Sequence, residues 1–409
     1  ATVMVDDGSG AGWDPAPPGT PVTFTLLNNT AGATFVGGKN TCQTLGGQCT
    51  VRIVADDAGE VEIHAETDVL VGGVTGITLH RETGGEESPD AQKTYVDAQI
   101  DLTPLEAINE VNDEHIVTAT VQVHDGIAWT LPADGTVITF SLPHGNASFE
   151  NGEHTCATTN GQCSVTINAD YPDLIKIRAA TDVEVGGLTL HRETDGMREN
   201  SEDATKRYVD ASIGITPQDA SNPLNEPHEF VITVRKHNGS FASAVQGVTP
   251  TVTMIPTPDG IVDNCAASGT NASGQCTVVI TSSVTAVYTA NASVTLTVEG
   301  ITMTRSTDGE MGFDGTGPAT KTYADSVLTL VPPAPTNEVG EAHTFTATLT
   351  INGQPAEGKT IQFTETGVGS FVGGNACTTN GAGKCTVKID SNDVGTSTLT
   401  ASWNGIVDA

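Results

Sequence analysis

His154-Thr-Cys-Ala-Thr-Thr-Asn-Gly-Gln-Cys-Ser-Val-Thr-Ile-Asn168, HTCATTNGQCSVTIN, places two cysteines seven positions apart around an Asn-Gly pair. Asn-Gly accepts the positive φ of a type I′ turn, so TTNG reads as the tip of a hairpin. Beyond it Cys163, Val165 and Ile167 share one face while Ser164 and Thr166 take the other. That period of two belongs to a half-buried β-strand. The device decides the fold because it occurs four times: CQTLGGQC, CATTNGQC, CAASGTNASGQC and CTTNGAGKC, with first cysteines at 42, 156, 265 and 377.

The spacing of those cysteines gives a repeat of about 110 residues, the size of one domain. Other landmarks recur in phase. ITLHRETGG, LTLHRETDG and ITMTRSTDG begin at Ile77, Leu188 and Ile301, and KTYVDAQIDLTP, KRYVDASIGITP and KTYADSVLTLVP begin at Lys93, Lys206 and Lys321. The expected domains are residues 1–104, 105–217, 218–332 and 333–409. Short alternating strands such as TVITF and TIQF, broken by turns about every ten residues, predict an all-β chain of antiparallel β-sandwiches.

Composition narrows the function. With 17 Lys+Arg against 50 Asp+Glu the net charge is -33, which excludes a nucleic-acid partner. No run of about 18 apolar residues offers a membrane span. Aromatics make up 4%, so the cores rest on small aliphatic side chains.

The cysteines flank each turn, which predicts the bridges Cys42–Cys49, Cys156–Cys163, Cys265–Cys276 and Cys377–Cys385. Zinc is the alternative, but there is no C-x-x-C and no histidine at recurring ligand spacing beside the pairs. Each bridge is expected to fix a hairpin's register, and four of them place the chain outside a reducing cytoplasm.

The segment PAEGKTIQFTETGVGSFVGGNACTTNGAGKCTVKIDSNDVGTSTLTAS, Pro355 to Ser402, resembles the bacterial Ig-like repeats of invasin- and intimin-type surface proteins. It shares a Gly turn before an xIxF strand, a GSF segment, a TTxxxGxxTVxI hairpin and a closing VGTSTLTA strand. More worn copies start at Gly145 and Gly32, so the resemblance covers essentially the whole chain. It implies tandem Ig-like domains in a linear rod, an extracellular or cell-surface stalk. The hairpin cysteines and the HRETDG excursion depart from the pattern, and the 409 residues contain no lectin-like module, so receptor binding is not carried over.

Several residue groups invite chemistry. HRETDG contains His191, Arg192, Glu193 and Asp195, but the third repeat reads TRSTDG. A catalytic group lost from one copy in three is less plausible than local ion pairs supporting a loop, and no enzyme is expected. His115, His228 and His343 each open a strand near a domain boundary and read as packing residues. Carboxylates at the joints, Asp97, Asp101, Asp113, Glu114 and Asp210, are candidate ligands for structural calcium, although no D-x-D-x-D-G loop occurs. Asn28, Asn146, Asn238, Asn271 and Asn291 stand in glycosylation sequons. Trp13 and Trp129 read as lids on their own cores.

Laid on the second repeat, ATVMVDDG at Ala1 matches ATVQVHDG at Ala119, and NGIVDA at the other end matches EGITMT. The first domain is thus expected to lack its opening strand and the last its closing strand. Either the chain is a window on a longer array, or subunits complete one another by strand addition, with ATVMV or WNGIVDA as donors. The partners are then neighbouring repeats of a longer chain or copies of itself. The expected function is a non-catalytic stalk, filament or surface coat. The alternative is an adhesin segment that binds a carbohydrate or protein through the divergent third repeat.

Overall fold

The computed structural model describes residues 1–72, 76–86 and 88–405, and the last four residues of the WNGIVDA segment lie outside them. Strands account for 56% of the chain and helices for 3%, so the fold is all-β. Two compact units divide it, Ala1–Tyr208 and Val209–Ala409.

In the first unit, one sheet runs Thr41–Gln43, Pro21–Leu27, Gly59–Val71, Ile77–Glu82, with Ala91–Tyr95 also paired to the long strand. Its core is small: Val3, Val22, Phe24, Ala65, Val69 and Val71 with Ala16 and Cys49. The second core is larger, reaching from Ala98 to Tyr208. The difference starts at the strand Asp97–Thr103, which pairs antiparallel with His115–His124 from Asp97↔His124 to Thr103↔Thr118. Alternation turns Ala98, Ile100 and Leu102 inward and leaves Gln99 and Asp101 half-buried. Although these residues precede the boundary at 104, they build the second core. Among the described residues the first core has no such strand.

The second unit repeats the plan. Residues 210–216 of the strand Ala204–Thr216 pair with His228–His237, which pairs with Gln275–Thr281. The facing sheet carries Ala286–Val298 between Thr251–Ile255 and Ala319–Ala324. A core from Val209 to Tyr323 fills the space. The fourth core, around Phe345, Leu349, Ile361 and Phe363, is again small. Its two sheets centre on His343–Ile351 and Thr360–Gly367.

The quoted hairpin folds as its residues dictate in the turn. Asn160 and Gly161 take φ of 52° and 73°, and Thr159 and Gln162 exchange backbone hydrogen bonds. A Cβ on Gly161 would lie 2.9 Å from the Val121 carbonyl oxygen, so space as well as φ requires glycine. The bridge beside the turn differs from a register clamp. Cys156 pairs with Ile138 in one sheet and Cys163 with Ala119 in the other, so the disulfide staples the two sheets face to face. Cys377 and Cys385 do the same through Ile361 and Ala347. Cys42–Cys49 and Cys265–Cys276 complete the four bridges, with Cys265 on the short helix Asn264–Ser268.

Candidate functional site

Arg192 of HRETDG pairs with a residue far away in sequence. Its Nε donates to the Ala98 carbonyl at 2.6 Å and its Nη2 to the Asp97 carboxylate, 95 positions earlier. The third sandwich builds the same lock with Arg305 of TRSTDG. Nε donates to Asp210 and to the Ala211 carbonyl, both at 3.0 Å, and Nη2 also donates to Asp210. In each case the arginine fixes the residue pair, Asp97-Ala98 or Asp210-Ala211, at which pairing with the next strand begins. The other members of HRETDG do stay local: His191 meets Asp182 at 2.7 Å, and Glu193 lies 3.9 Å from Arg178.

Asp97 and Asp210 are therefore held by arginine. Asp101 shares the Asp97 strand, where burial raises its carboxyl above the usual range. Asp113 and Glu114 precede the strand His115–His124. Among the described residues, the one group of three metal-type side chains within ligand reach of one another is His64, Glu66 and Glu82, on the first sheet. Asn28, Asn146, Asn238 and Asn271 lie in turns or loops, whereas Asn291 sits inside Ala286–Val298 with its Oδ1 buried. Trp13 is 69% exposed and does not lid its core, while Trp129 packs edge-on against His124 at 5.2 Å.

The motif K-x-Y, a landmark of the repeat, forms a buried pair in each unit. Lys206, Tyr208, Lys321 and Tyr323 are completely buried. Each lysine Nζ stands over the neighbouring tyrosine ring, at 4.9 and 5.2 Å, and neither has a hydrogen-bond partner. Desolvation pulls both ammonium groups down, to about 8. Tyr323 donates to the carbonyls of Ile280 at 2.8 Å and Glu226 at 3.0 Å, and Tyr208 to that of Ile167 at 3.0 Å. The boundary histidines pack here as expected. His228 lies edge-on to Phe230 at 4.6 Å, and burial with the nearby lysine pushes His115 and His228 down to about 4.

In the third sandwich this K-x-Y strand, Ala319–Ala324, lies antiparallel to Ala286–Ala290 and parallel to Asp219–Pro223. The fourth sandwich has both flanks, the strand Ser397–Ser402 and residues 333–337, but among the described residues no strand between them. A groove of about 1090 Å³ runs there instead. His343 and Phe345 border it, edge-on at 4.9 Å in the arrangement of His228 and Phe230.

No family model matches the chain. Over 286 residues, 67% of this chain and 11% of the relative, it is 30% identical to the inverse autotransporter adhesin YeeJ of Escherichia coli strain K12. The chain thus spans about a tenth of that relative's length. It is also similar to the structure of invasin, described as a bacterial integrin-binding protein: 13% identity, 98% of this chain, 76% of that chain, TM-score 0.25. The D0-D1 domain of intimin aligns at 15% identity over 55% of this chain and 97% of that chain, TM-score 0.19. Superpositions at those scores carry no weight, and the fold stands on the sheets described above. The four bridges place the chain in an oxidising compartment outside the cytoplasm.

Proposed function

We propose, from the chain's resemblance to the Ig-like repeats of invasin- and intimin-type surface proteins, that it is a non-catalytic structural segment of an extracellular adhesin-like protein. In this reading four Ig-like domains in tandem form a stalk, filament or coat, and terminal sandwiches are completed by strands from neighbours. The observation that carries it is the repeated framework. A short-loop disulfide recurs in every repeat, joining the two sheets in the second and fourth, and the Arg–Asp lock recurs in the second and third. Such devices hold a sandwich shut and present no chemistry. Negative-stain electron microscopy of the concentrated chain tests this: end-to-end multimers are expected, and isolated particles at every concentration would contradict the assembly part.

A second reading is favoured by one feature. The Cys265–Cys276 loop of the third repeat is longer than the others and folds into the helix Asn264–Ser268, capped by Asp263. A divergent loop of this kind suits ligand recognition on an adhesin. Saturable binding of the full chain to cells or glycans, abolished by shortening that loop, would make adhesion the primary role.

A further inference from the structure

We propose that the first sandwich carries a zinc site on the outer face of its long strand, with His64, Glu66 and Glu82 as the protein ligands and a fourth position open to water. The site lies within one sandwich and is independent of the stalk reading.

Strand pairing brings the ligands together. Ala65, Thr67 and Val69 turn inward, so His64, Glu66 and Asp68 share the outer face of Gly59–Val71. On the partner strand Glu82 and His80 stand directly opposite Glu66 and Asp68. One ligand atom from each of His64, Glu66 and Glu82 lies within 4.8 Å of the other two, and His64 Nε2 is 3.7 Å from a Glu82 oxygen. Donors on a tetrahedral zinc, each about 2.0–2.1 Å from the ion, stand about 3.3 Å apart, so small side-chain rotations close the set. The imidazole is already oriented. His64 Nδ1 faces Asp90 Oδ1 at 3.0 Å, and that aspartate, 8% exposed, also accepts from the Thr83 hydroxyl. A carboxylate only accepts, so Nδ1 of the neutral ring holds the proton and Nε2 keeps its lone pair for the metal. His80 repeats the arrangement, with Nδ1 2.9 Å from Asp68 and Nε2 3.8 Å from the same Glu82 oxygen.

The sibling sandwiches point to a cation at this place. In the second, Ala180↔Glu193 and Asp182↔His191 take the register of Glu66↔Glu82 and Asp68↔His80, and Arg178 stands where His64 does. Arg178 donates to Asp203 at 3.0 and 3.1 Å and lies 3.9 Å from Glu193, so a guanidinium sits between those carboxylates. The first sandwich exchanges the guanidinium for an imidazole and adds the Glu66 carboxylate. Glu66 and Glu82 then face each other directly, a like-charge placement that destabilises a sheet and that a bound divalent ion reverses. In the third sandwich the register holds Ser293↔Ser306 and Thr295↔Thr304, with no carboxylate to neutralise. An imidazole donor favours zinc over calcium and magnesium, which take oxygen ligands.

The test is isothermal titration calorimetry of the full chain, stripped with a chelator, against zinc chloride alone and calcium chloride alone. Zinc is expected to saturate a single site. His64→Arg and Glu82→Gln should each weaken it by about tenfold or more, the loss that even an outer-shell change causes. His64→Arg rebuilds the ion pair of the second sandwich, so circular dichroism should show it folded. His191→Ala, at the matching face of the second sandwich, should bind zinc as the parent chain does. The melting temperature should rise with zinc concentration in the parent chain and stay fixed in His64→Arg. Zinc affinity unchanged by His64→Arg, calcium binding as tightly as zinc, or heats that never saturate would overturn the proposal.

Discussion

Arg305 and Asp210, 95 positions apart, form an ion pair in which the two side chains are only 1% and 3% exposed. Deep burial sets the energetics of such a pair. Removing one partner strands a charge away from water and costs about 3–5 kcal/mol, although a well-packed apolar replacement of both can be neutral. Arg305→Ala is therefore expected to destabilise the third sandwich by roughly that amount, read as a drop in the urea midpoint. The double change Arg305→Met with Asp210→Leu should recover most of it. In the second sandwich the Asp97 side chain is 23% exposed, so Arg192→Ala should cost less.

The boundary histidines give a pH dependence with a definite sign. The folded chain holds His115 and His228 near 4, while the free imidazole titrates at 6.5. Between those values the unfolded chain binds protons the folded chain refuses, so stability falls as pH drops from 6.5 through 4. The lysines act likewise at higher pH. Lys206 and Lys321 sit near 8 against 10.5, so stability should rise as pH climbs from 8 to 10.5. Unfolding midpoints against pH check both windows, and His228→Phe should flatten the acidic one.

Neighbouring residues of one strand should respond in opposite directions. Lys321 buries an amine with no hydrogen-bond partner, so Lys321→Met should be neutral or stabilising by about 1 kcal/mol. Tyr323→Phe loses the hydroxyl's contacts to two carbonyls and should cost about 1–3 kcal/mol. Thermal denaturation of the two variants decides the comparison.

For the disulfides, replacing Cys156 and Cys163 by alanine should lower stability by about 2.5 kcal/mol on the loop-closure estimate. The second core, packed from Ala98 to Tyr208, should keep the sandwich folded. Circular dichroism during denaturant unfolding would record a shifted midpoint with a native baseline.

Much of this architecture can be read from local pattern. Asn160-Gly161 announces its turn, the alternation of Val165 and Ile167 its strand, and short cysteine spacings their bridges. What local pattern hides is partners distant in sequence. Nothing near Arg192 points to Asp97, and Cys156 and Cys163 look like hairpin neighbours although they belong to different sheets. Lys321 contradicts the expectation that lysines stay in water. Comparison of the chain's own copies does carry the missing signal for the lock. Where His191 and Glu193 give way to Thr304 and Ser306, the arginine between them persists at 81, 192 and 305, and the aspartate of Y-x-D at 97, 210 and 325.

The central claim is that each of the four repeats is held shut by its own disulfide, and peptide mapping under non-reducing conditions tests it most directly. The account predicts the bridges Cys42–Cys49, Cys156–Cys163, Cys265–Cys276 and Cys377–Cys385 and no others. Free thiols, or a bridge between two repeats, would contradict it.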